Sequence, residues 1–593
     1  MKRIHYYIVC AICAICGFSS CTDFLEIKPQ NEIILEQFWN EKADVDAIIA
    51  GCYSGMQSEA VIKRMMVWGE FRSDNIGPGS NVQSDGNLEK ILKENIDAKN
   101  SYTNWGGFYS VINRCNTVIK YAPGVAADDP AYTESELQAN IAEMVALRSL
   151  CYFYLIRAFR DVPFSREAFI DDSQTMDLPA TKFDAVLDSL IYDLEGVKNN
   201  AVKRYPVTKE MYQTGRITQD AIHALLCELY LWKKDYENCV RYADLVIESK
   251  KLIYEENRQK RTTSSRNDET LDRFNGFPLV SNSTTNNYYG DAYTTLFGRD
   301  RNTDEANQEI IFQLVFDDDP EGSGMMANAA VNSFYGNSQS TTGLVAPSDY
   351  IYAQIEATGQ DRKVFADKNK KLDSRIYTNC LYRGGSSTSS DKAIRKYAAS
   401  SIDITGTTGT LEASYSIYRQ NQNGSNWIIY RLTDIMLLKA EALTQMMRDG
   451  SEAEASDYNK SLLDRAFVLV NAVNKRALCQ SQLADTLLRS AYSTKGDMET
   501  LVLQERQREL MFEGKRWFDL VRLSQRNGNT QVLAAAALQK ATTGSGLISN
   551  HLAKMDAIYW PYNLDEMKVN LNLVQNPAFG SGEDESYQKT TKK

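Results

Sequence analysis

Apolar side chains recur every three or four residues through long stretches of this chain, which is the spacing of one face of an α-helix. The clearest run lies at 136–160, and Pro163 marks its end. A second run extends over 217–232, and a further helix is predicted at 236–249. The other predicted helices have the same period and lie at 34–56, 105–121, 183–197, 427–447, 454–477 and 497–524. The chain is therefore predicted to be mainly α-helical.

The helices predicted at 217–232 and 236–249 carry a pattern of small and aromatic residues. Cys227 and Cys239 are small, while Tyr230 and Tyr236 are aromatic, as in the helix pairs of tetratricopeptide repeats. One such pair cannot bury its own apolar face, so further pairs must stack on it. The pattern predicts tetratricopeptide-like helix pairs. It leaves a disulfide between Cys227 and Cys239 open.

The segment 257–425 interrupts the helical pattern. Within 261–300, Ser, Thr, Asn and Gly make up 19 of 40 residues, which is a loop composition. Short β-like runs such as 310–316 lie inside the segment. We therefore predict a large irregular, partly β insertion between helical parts at 21–256 and 426–593, which together complete one domain. A long irregular insertion in a helical scaffold commonly carries a binding surface.

The first 20 residues have the features of a secretion signal. Lys2 and Arg3 precede an uncharged apolar run at 6–18, which is shorter than the roughly 20 residues of a membrane-spanning helix. Small residues then lead into Cys21, as in a bacterial lipobox. We predict a lipoprotein signal peptide at 1–20 and lipidation of Cys21. Ordinary secretion, with Cys21 as a free thiol, is the alternative.

Composition narrows the classes of function. Lys and Arg number 66 against 77 Asp and Glu, so the net charge of −11 lacks the basic excess of a nucleic-acid-binding protein. Three histidines leave little for a histidine-based metal centre or catalytic triad. Seven cysteines lie beyond Cys21 and form no Cys-x-x-Cys motif, so neither a zinc site nor a disulfide framework is implied.

Several short blocks occur in order near both ends of the chain. The N-terminal blocks are Cys21-Thr22-Asp23-Phe24-Leu25-Glu26, Trp68-Gly69-Glu70-Phe71-Arg72-Ser73-Asp74-Asn75 and Asp161-Val162-Pro163. The C-terminal blocks are Arg431 with Asp434, Glu505-Arg506, Arg516-Trp517-Phe518-Asp519-Leu520 and Gln575-Asn576-Pro577. Together they resemble the SusD/RagB family of nutrient-binding outer-membrane lipoproteins. The resemblance fades across 257–425, and Thr433 and Lys439 depart from the family pattern.

This resemblance implies a SusD-like α–α superhelix, with four tetratricopeptide-like helix pairs packed on a variable region. Family members lie at the cell surface beside a SusC-like TonB-dependent transporter, act as its lid, and capture glycans or peptides for import. We therefore expect a lipid-anchored outer-membrane protein, not an enzyme, that captures a glycan (an oligo- or polysaccharide) and delivers it to that transporter. A peptide-capturing RagB-like lid, a surface glycoside hydrolase and a structural repeat adaptor are the alternatives.

Sugar binding requires exposed aromatic faces flanked by amides and carboxylates, because rings cover the C–H faces of a sugar while polar groups bind its hydroxyls. The segments 286–293 and 332–337 have this composition, and the block at 72–75 leads toward the ligand face in the family. The candidate ligand-binding residues are Arg72, Asp74, Asn75, Tyr288, Tyr289, Tyr293, Phe334 and Tyr335. Packing of these loops against themselves would use the same residues, and that alternative stays open.

Three glutamates are the main candidates for catalysis. Glu505, Glu509 and Glu513 place one carboxylate on each turn of a predicted helix, and paired carboxylates hydrolyse glycosides when they lie roughly 5–9.5 Å apart. Ion pairs between residues three positions apart favour a structural helix instead. The predicted pairs are Glu505 with Arg508, Glu513 with Arg516, and Asp519 with Arg522. No catalytic residue is therefore predicted.

An acidic loop is the weak candidate for a metal site. Asp317, Asp319 and Glu321 offer carboxylates to a hard cation such as calcium. The loop lacks the ligand alternation of an EF-hand, which favours a solvated turn. Apart from a structural calcium, no cofactor is predicted, because His223 and His551 have no second ligand nearby in the sequence.

Overall fold

The structure is a computed structural model, and it describes residues 38–171, 173–260, 274–282, 291–298, 303–317, 326–336, 343–351, 373–380, 393–405, 412–418, 422–450, 456–479, 487–540 and 545–580. The predicted signal peptide at 1–20 and the predicted lipidation site Cys21 lie outside these residues. Within them the chain is mainly α-helical, as predicted, with short two-stranded β-ribbons. One hydrophobic core extends through the helical parts and includes side chains from 274–351.

Several of the N-terminal helices pack against a neighbour in the chain. They are α1 (Lys42–Met56), α2 (Glu59–Met66), α3 (Gly86–Leu92), α4 (Gly106–Asp128), α5 (Glu134–Phe159), α6 (Phe183–Val197), α7 (Tyr212–Gly215), α8 (Gln219–Trp232) and α9 (Tyr236–Lys260). A π-helical turn at Val67–Phe71 follows α2. The closest associations join α4 to α5 and α8 to α9. This is the arrangement of consecutive helix hairpins that the apolar period predicts.

The helix α5 is the core helix of the N-terminal part. A capping box begins it, since the Thr133 hydroxyl accepts from the Glu136 N–H and the Glu136 carboxylate accepts from the Thr133 N–H. Among the described residues, α5 is the one helix long and apolar enough to cross a membrane, with a mean hydropathy of 1.2. However, 83% of that apolar stretch is buried inside the protein. Its surroundings therefore identify it as a core helix.

The helices α8 and α9 form the pair predicted from small and aromatic residues. Cys227 Sγ and Cys239 Sγ lie 3.7 Å apart as buried free thiols, so the disulfide that the sequence leaves open is not formed. The rings of Tyr230 and Tyr242 stack with centroids 5.6 Å apart. Both hydroxyls donate to the Glu195 carboxylate, at 2.7 and 2.6 Å, which ties this pair to α6.

The insertion contributes short elements to the frame. Its helices are α10 (Asp291–Phe297), α11 (Asp304–Asn307), α12 (Ala329–Tyr335) and α13 (Arg375–Asn379). The strands of the described chain are β1 (Ile76–Pro78), β2 (Val162–Pro163), β3 (Ala180–Thr181), β4 (Ile310–Leu314), β5 (Val345–Pro347), β6 (Ala399–Thr405), β7 (Glu412–Ile417) and β8 (Trp427–Arg431). They pair antiparallel as β1–β5, β2–β3, β4–β8 and β6–β7. Two of these ribbons therefore join the insertion to the helical parts on either side.

The C-terminal helices complete the frame. They are α14 (Leu432–Gln445), α15 (Asp457–Ala477), α16 (Lys495–Leu510), α17 (Arg516–Asn527), α18 (Gln531–Gln539), α19 (Ser545–Leu552) and α20 (Leu564–Val569). The helix predicted at 427–447 is wrong at its start, because Trp427–Arg431 is the strand β8. This strand is fully buried against β4, and a buried strand and a buried helix have the same apolar composition.

The single helix predicted at 497–524 is two helices, α16 and α17, with a break between them. Phe512 and Gly514 have φ of +69° and +71°, which an α-helix cannot contain. The buried carboxylate of Glu70 occupies this break and accepts from the N–H groups of Phe512 at 3.1 Å and Lys515 at 3.0 Å. It accepts also from Arg516 N–H at 3.3 Å. The break therefore docks the C-terminal helices onto the π-helical turn after α2.

Candidate ligand-binding surface

The β1–β5 ribbon joins the N-terminal helical part to the insertion. The two strands run antiparallel, with Ile76 opposite Pro347. Beyond the ribbon, the Gly79 N–H donates to the Leu344 carbonyl at 3.0 Å. A Cβ at Gly79 would lie 2.1 Å from the carbonyl oxygen of Gly343, so a side chain cannot fit here. The loop that follows β1 is therefore fixed against the insertion.

The ligand contacts predicted at 72–75 lie beneath this ribbon. Arg72 forms an ion pair with Glu94 at 2.8 Å, and both side chains are fully buried. The Asp74 carboxylate accepts from Arg516 at 2.9 Å. The Asn75 carbonyl accepts from the N–H of the residue after β5 at 2.9 Å. Because all three side chains are buried, the direct ligand contact predicted for Arg72, Asp74 and Asn75 is corrected to contacts inside the protein, and only the carbonyls of Asp74 and Asn75 bind the residue that follows β5.

Three aromatic residues predicted to contact ligand are part of the core. Tyr293 donates its hydroxyl to the Glu509 carboxylate at 3.0 Å, and Tyr335 donates to the Phe512 carbonyl at 2.9 Å. Phe334 is fully buried. Exposed rings are needed to cover a sugar, so the prediction for Tyr293, Phe334 and Tyr335 is corrected to packing of the insertion onto the frame. The alternative left open by the sequence, packing of these loops against themselves, differs from this, because Tyr293 and Tyr335 contact residues of the C-terminal part.

The exposed polar groups of this region lie on the loop at 79–85. Ser80, Asn81, Gln83 and Ser84 are all exposed there. At the other end of the ribbon, the ring of Tyr350 is half-buried. The amides and hydroxyls of this loop are suited to bind sugar hydroxyls. The Gly-Pro-Gly-Ser-Asn run at 77–81 is a turn signal, and it could have indicated this loop from the sequence.

Four of the predicted ligand or metal contacts lie outside the described part of the chain. They are Tyr288, Tyr289, Asp319 and Glu321. Asp317 lies at the end of a described segment, and its N–H donates to the Met326 carbonyl at 3.2 Å. Within the described ranges, no group of three or more His, Cys, Asp or Glu side chains is arranged to hold a metal ion. The calcium site therefore stays a prediction.

The three glutamates considered for catalysis are buried, and each forms ion pairs with buried cations. Arg375 Nη1 donates to Glu505 at 2.7 Å and to Glu509 at 3.2 Å, while Arg431 bridges Glu509 at 2.6 Å and Glu513 at 2.7 Å. Burial alone would raise the pKa of Glu509, but the surrounding guanidinium groups outweigh it and hold that pKa well below its usual range. All three carboxylates are buried, so they hold the fold together and meet no substrate.

Two of the three predicted ion pairs are present within α16 and α17. They are Glu505 with Arg508 at 2.6 Å and Asp519 with Arg522 at 2.8 Å. The third is wrong, because Glu513 contacts Arg431 and Lys396 while Arg516 pairs with Asp74. Glu513 lies in the break after α16, so it does not share a helical face with Arg516.

A surface cleft lies where α5, α8 and α17 end, and the sequence pattern does not indicate it. Its volume is about 490 Å³. The lining combines aromatic rings with cations and comprises Arg160, Phe183, Asp184, Trp232, Lys233, Lys234, Gln525, Met555 and Tyr559. Pockets of this size hold small ligands in other proteins.

Arg160 lines this cleft in a strained backbone conformation. Its φ is 70° and its ψ is −77°, and the Asp161 N–H donates to the Phe159 carbonyl at 3.1 Å, which makes Arg160 the centre of a rare γ-turn. Such a conformation costs on the order of 1–3 kcal/mol in a residue other than glycine. The half-exposed ion pair of Arg160 with Asp556, at 2.7 Å, returns only about 0–1 kcal/mol. The strain therefore exceeds what this contact contributes.

Comparison with protein families gives two matches along the chain. A model described as the SusD family matches residues 277–579, which is just over half of the sequence. A model described as "Starch-binding associating with outer membrane" matches residues 23–231. The chain is also similar to SusD-like protein P38 of Formosa agariphila, with 26% identity over 95% of this chain and 96% of the relative. SusD-like protein P2 of the same organism is 23% identical over 88% and 91% of the two chains.

Solved structures show the same fold at low sequence identity. A SusD superfamily protein of Bacteroides thetaiotaomicron superposes with a TM-score of 0.61 at 18% identity, covering 91% of this chain and 99% of the other. A laminarin-binding SusD-like protein gives 0.59 at 20% identity, with 91% and 100% covered. Surface glycan-binding protein A of Bacteroides uniformis gives 0.58 at 19% identity, again with 91% and 100% covered. By the extent of its family match, the chain belongs to the SusD family.

Proposed function

We propose that this protein is a lipid-anchored lipoprotein of the outer membrane that captures a glycan at the cell surface and delivers it to a SusC-like TonB-dependent transporter. Membership of the SusD family supports the proposal. Two structural relatives are described as binding laminarin and surface glycan, which supports an oligo- or polysaccharide ligand. The family description "associating with outer membrane" supports the location, where Cys21 would carry the lipid anchor.

The observation that carries the proposal in this molecule is the loop at 79–85 on the β1–β5 ribbon. The ribbon and the buried block at 72–75 fix the backbone of the loop, so its exposed polar side chains project from a defined position on the surface. Asn81 and Gln83 each offer an amide that can donate to one sugar hydroxyl and accept from another. Preorganised groups lose little conformational entropy on binding. We assign this loop, together with Tyr350, to the glycan-binding surface.

The test is the double substitution of Asn81→Ala with Gln83→Ala. Loss of two preorganised amides should weaken glycan binding about tenfold or more, since each hydrogen bond contributes about 0.5–1.5 kcal/mol. Binding is measured by calorimetry against a panel of neutral oligosaccharides, beginning with laminari-oligosaccharides. The matched control is Gln539→Ala with Asn550→Ala, which removes two exposed amides elsewhere on the surface. Equal affinity of both double variants and the wild type would remove this loop from the site.

The alternatives make distinct predictions in the same experiments. A peptide-capturing lid would bind members of a peptide panel and no glycan. A glycoside hydrolase would release shorter sugars during the incubation. Delivery to a transporter requires that the protein co-purifies with an outer-membrane TonB-dependent barrel. Cys21→Ala should release the protein from membranes, and continued attachment would refute lipidation at this residue.

A further inference from the structure

The helices α8 and α9 hold two thiols in contact inside the core. Cys227 Sγ and Cys239 Sγ lie 3.7 Å apart, and both side chains are fully buried. Because the two sulfurs of a disulfide are about 2.05 Å apart, these two must approach by roughly 1.7 Å to form a bond. Modest rotation of both side chains about their Cα–Cβ bonds provides this movement, so the helices need not separate.

The turn between the two helices is encoded locally. Lys234 follows α8 with a positive φ of 64°, a common way for a helix to end. Asp235 then caps α9, since its carboxylate accepts from the Asn238 N–H at 3.1 Å. Cys227 and Cys239 are 12 residues apart in the chain. Formation of this one hairpin is therefore enough to bring the two thiols together.

A second group of buried thiols provides a comparison. Cys52, Cys115 and Cys151 lie on α1, α4 and α5, and the thiols of Cys52 and Cys115 interact. These residues are far apart in the sequence, and such contacts form late in folding because longer loops must close first. The second group therefore meets only when three helices pack together, and the same packing buries it.

Burial protects both groups of thiols once the protein has folded. The attacking species in disulfide exchange is the thiolate. Burial, together with the neighbouring Cys239, raises the pKa of the Cys227 thiol well above its ordinary value. Neither side chain of this pair is accessible to solvent, so a disulfide donor cannot reach the sulfurs. Oxidation of the pair is therefore open only between closure of the hairpin and packing of the core.

We propose that Cys227 and Cys239 are the site of a disulfide that forms while the exported chain folds and that joins α8 covalently to α9. The oxidant is a disulfide donor of the cell envelope. One cysteine thiolate attacks the donor disulfide and releases one donor thiol, and the other thiolate attacks the resulting mixed disulfide and releases the second. The two cysteine protons end on the two donor thiols, and two electrons pass to the donor. The inference rests on the predicted export of the chain and is independent of glycan binding.

The first test follows the bond during refolding, with oxidised glutathione as the probe. The mature chain, residues 21–593 with Cys21→Ala, is reduced and unfolded, and it is refolded with either oxidised glutathione or dithiothreitol. Free thiols are then alkylated in denaturant, and the peptides are identified by mass spectrometry. With oxidised glutathione, Cys227 and Cys239 should be linked while Cys52 and Cys115 are alkylated. With dithiothreitol, all four should be alkylated.

The second test concerns the folded protein. Folded, reduced protein should form the bond about tenfold more slowly, or slower still, than the refolding chain does in the same oxidised glutathione. The oxidised form should melt about 2–3 °C higher than the reduced form of the same chain. Cys227→Ala with Cys239→Ala should abolish this difference. The matched control, Cys52→Ala with Cys115→Ala, removes two other buried thiols and should keep it.

The remaining test uses protein isolated from cell envelopes with its thiols blocked at lysis, in which Cys227 and Cys239 should already be linked. A fully alkylated pair, either in this protein or after refolding in oxidised glutathione, would overturn the inference. Random pairing with Cys52, Cys115 or Cys151 would do the same. Equal rates for folded and refolding protein would overturn the proposed timing. Glycan binding is measured separately, so failure of the proposed function is distinguishable from each of these results.

Discussion

The helices α5 and α16 are both core helices, yet they bury apolar and charged residues in very different proportions. α5 buries a long apolar surface that includes Leu147 and Phe153. α16 begins in the same way, with Met498 and Leu501, but its last turns bury the charged and amide side chains of 505–509. The face buried by α5 is thus mainly apolar, with separate ion pairs such as Arg148 with Asp193, whereas the last turns of α16 are held by a dense cluster of buried ion pairs.

This difference determines how each region responds to change. Apolar burial stabilises in proportion to the area removed from water, and its contributions are roughly independent of one another. A buried ion pair stabilises only while both partners are present, because a lone charge keeps the full cost of its desolvation. Single substitutions and changes of pH should therefore lower the free energy of unfolding more through the C-terminal part. The N-terminal part should tolerate substitutions and pH changes better.

The largest effect is expected on acidification. Burial raises the pKa of the core carboxylates, but neighbouring cations outweigh it and lower each pKa, as found for Glu505, Glu509, Glu513, Asp434 and Glu441. Depressed carboxyl pKa values give stability that is present above about pH 4.5 and is lost as the pH falls through the folded-state values. Urea unfolding should show a loss on the order of 5 kcal/mol between pH 7 and pH 3.

Buried lysines should change the free energy of unfolding at alkaline pH, in the direction opposite to the acid effect. Burial lowers the pKa of Lys250 and of Lys396 to about 8. The unfolded chain therefore binds more protons than the folded chain between pH 8 and pH 10, and these two groups favour folding as the pH rises through that range. The free energy of unfolding should fall more between pH 7 and pH 3 than it changes between pH 8 and pH 10. The opposite order would contradict the conclusion that buried carboxylates stabilise the protein.

The next largest effect is expected for Glu509→Ala. This change leaves Arg431, Arg476 and Arg375 buried around an empty position, and breaking such a network costs about 3–5 kcal/mol. Equilibrium urea unfolding measures the loss. The control is Lys495→Ala on the same helix, because its pair with Asp449 is exposed and should contribute less than about 1 kcal/mol. Similar losses of unfolding free energy for both variants would show that the buried network stabilises the protein no more than an exposed ion pair does.

A smaller effect is expected for Leu147→Ala in α5. The side chain is fully buried, so its truncation should cost about 2–4 kcal/mol through lost burial and the cavity left behind. This loss should be nearly the same at pH 7 and at pH 4. The loss from Glu509→Ala should shrink at pH 4, because the unfolded glutamate binds a proton near that pH while the folded glutamate, whose pKa is held well below 4.5, does not. Thermal or urea unfolding at the two pH values compares them. If the loss of unfolding free energy caused by Leu147→Ala also shrank at the lower pH, the two regions would not differ in their response to pH.

The same contrast explains which parts of the fold could be predicted from the sequence. The apolar period locates α5, α8 and most other helices, and the small and aromatic residues Cys227, Cys239 and Tyr230 identify the α8–α9 pair. Charged residues mislead, because Glu513 and Arg516 suggest a helical pair although their partners are Lys396 and Asp74, more than a hundred residues away. Sequence spacing alone carries no information on partners at such separations.

The binding surface was harder to predict for a related reason. Tyr293 and Tyr335 lie in segments with the composition of a sugar site, but both side chains are buried in the core. Whether a tyrosine is buried depends on the three-dimensional fold rather than on its neighbours in sequence. The loop at 79–85 carries small polar residues without an aromatic signal. The strain at Arg160 is a property of the backbone, which sequence composition does not reveal.

The carboxylate of Glu70, enclosed by the break between α16 and α17, has a consequence for how this protein is made. Its donors Phe512, Lys515 and Arg516 follow it by more than 440 residues. A polypeptide is synthesised from its N-terminus, so the first helices of this chain are made long before the groups that complete their core. Contacts at such separation also slow folding. The N-terminal part must therefore stay free of aggregation until the last helices have been made, and we expect the folding of this chain to be slow.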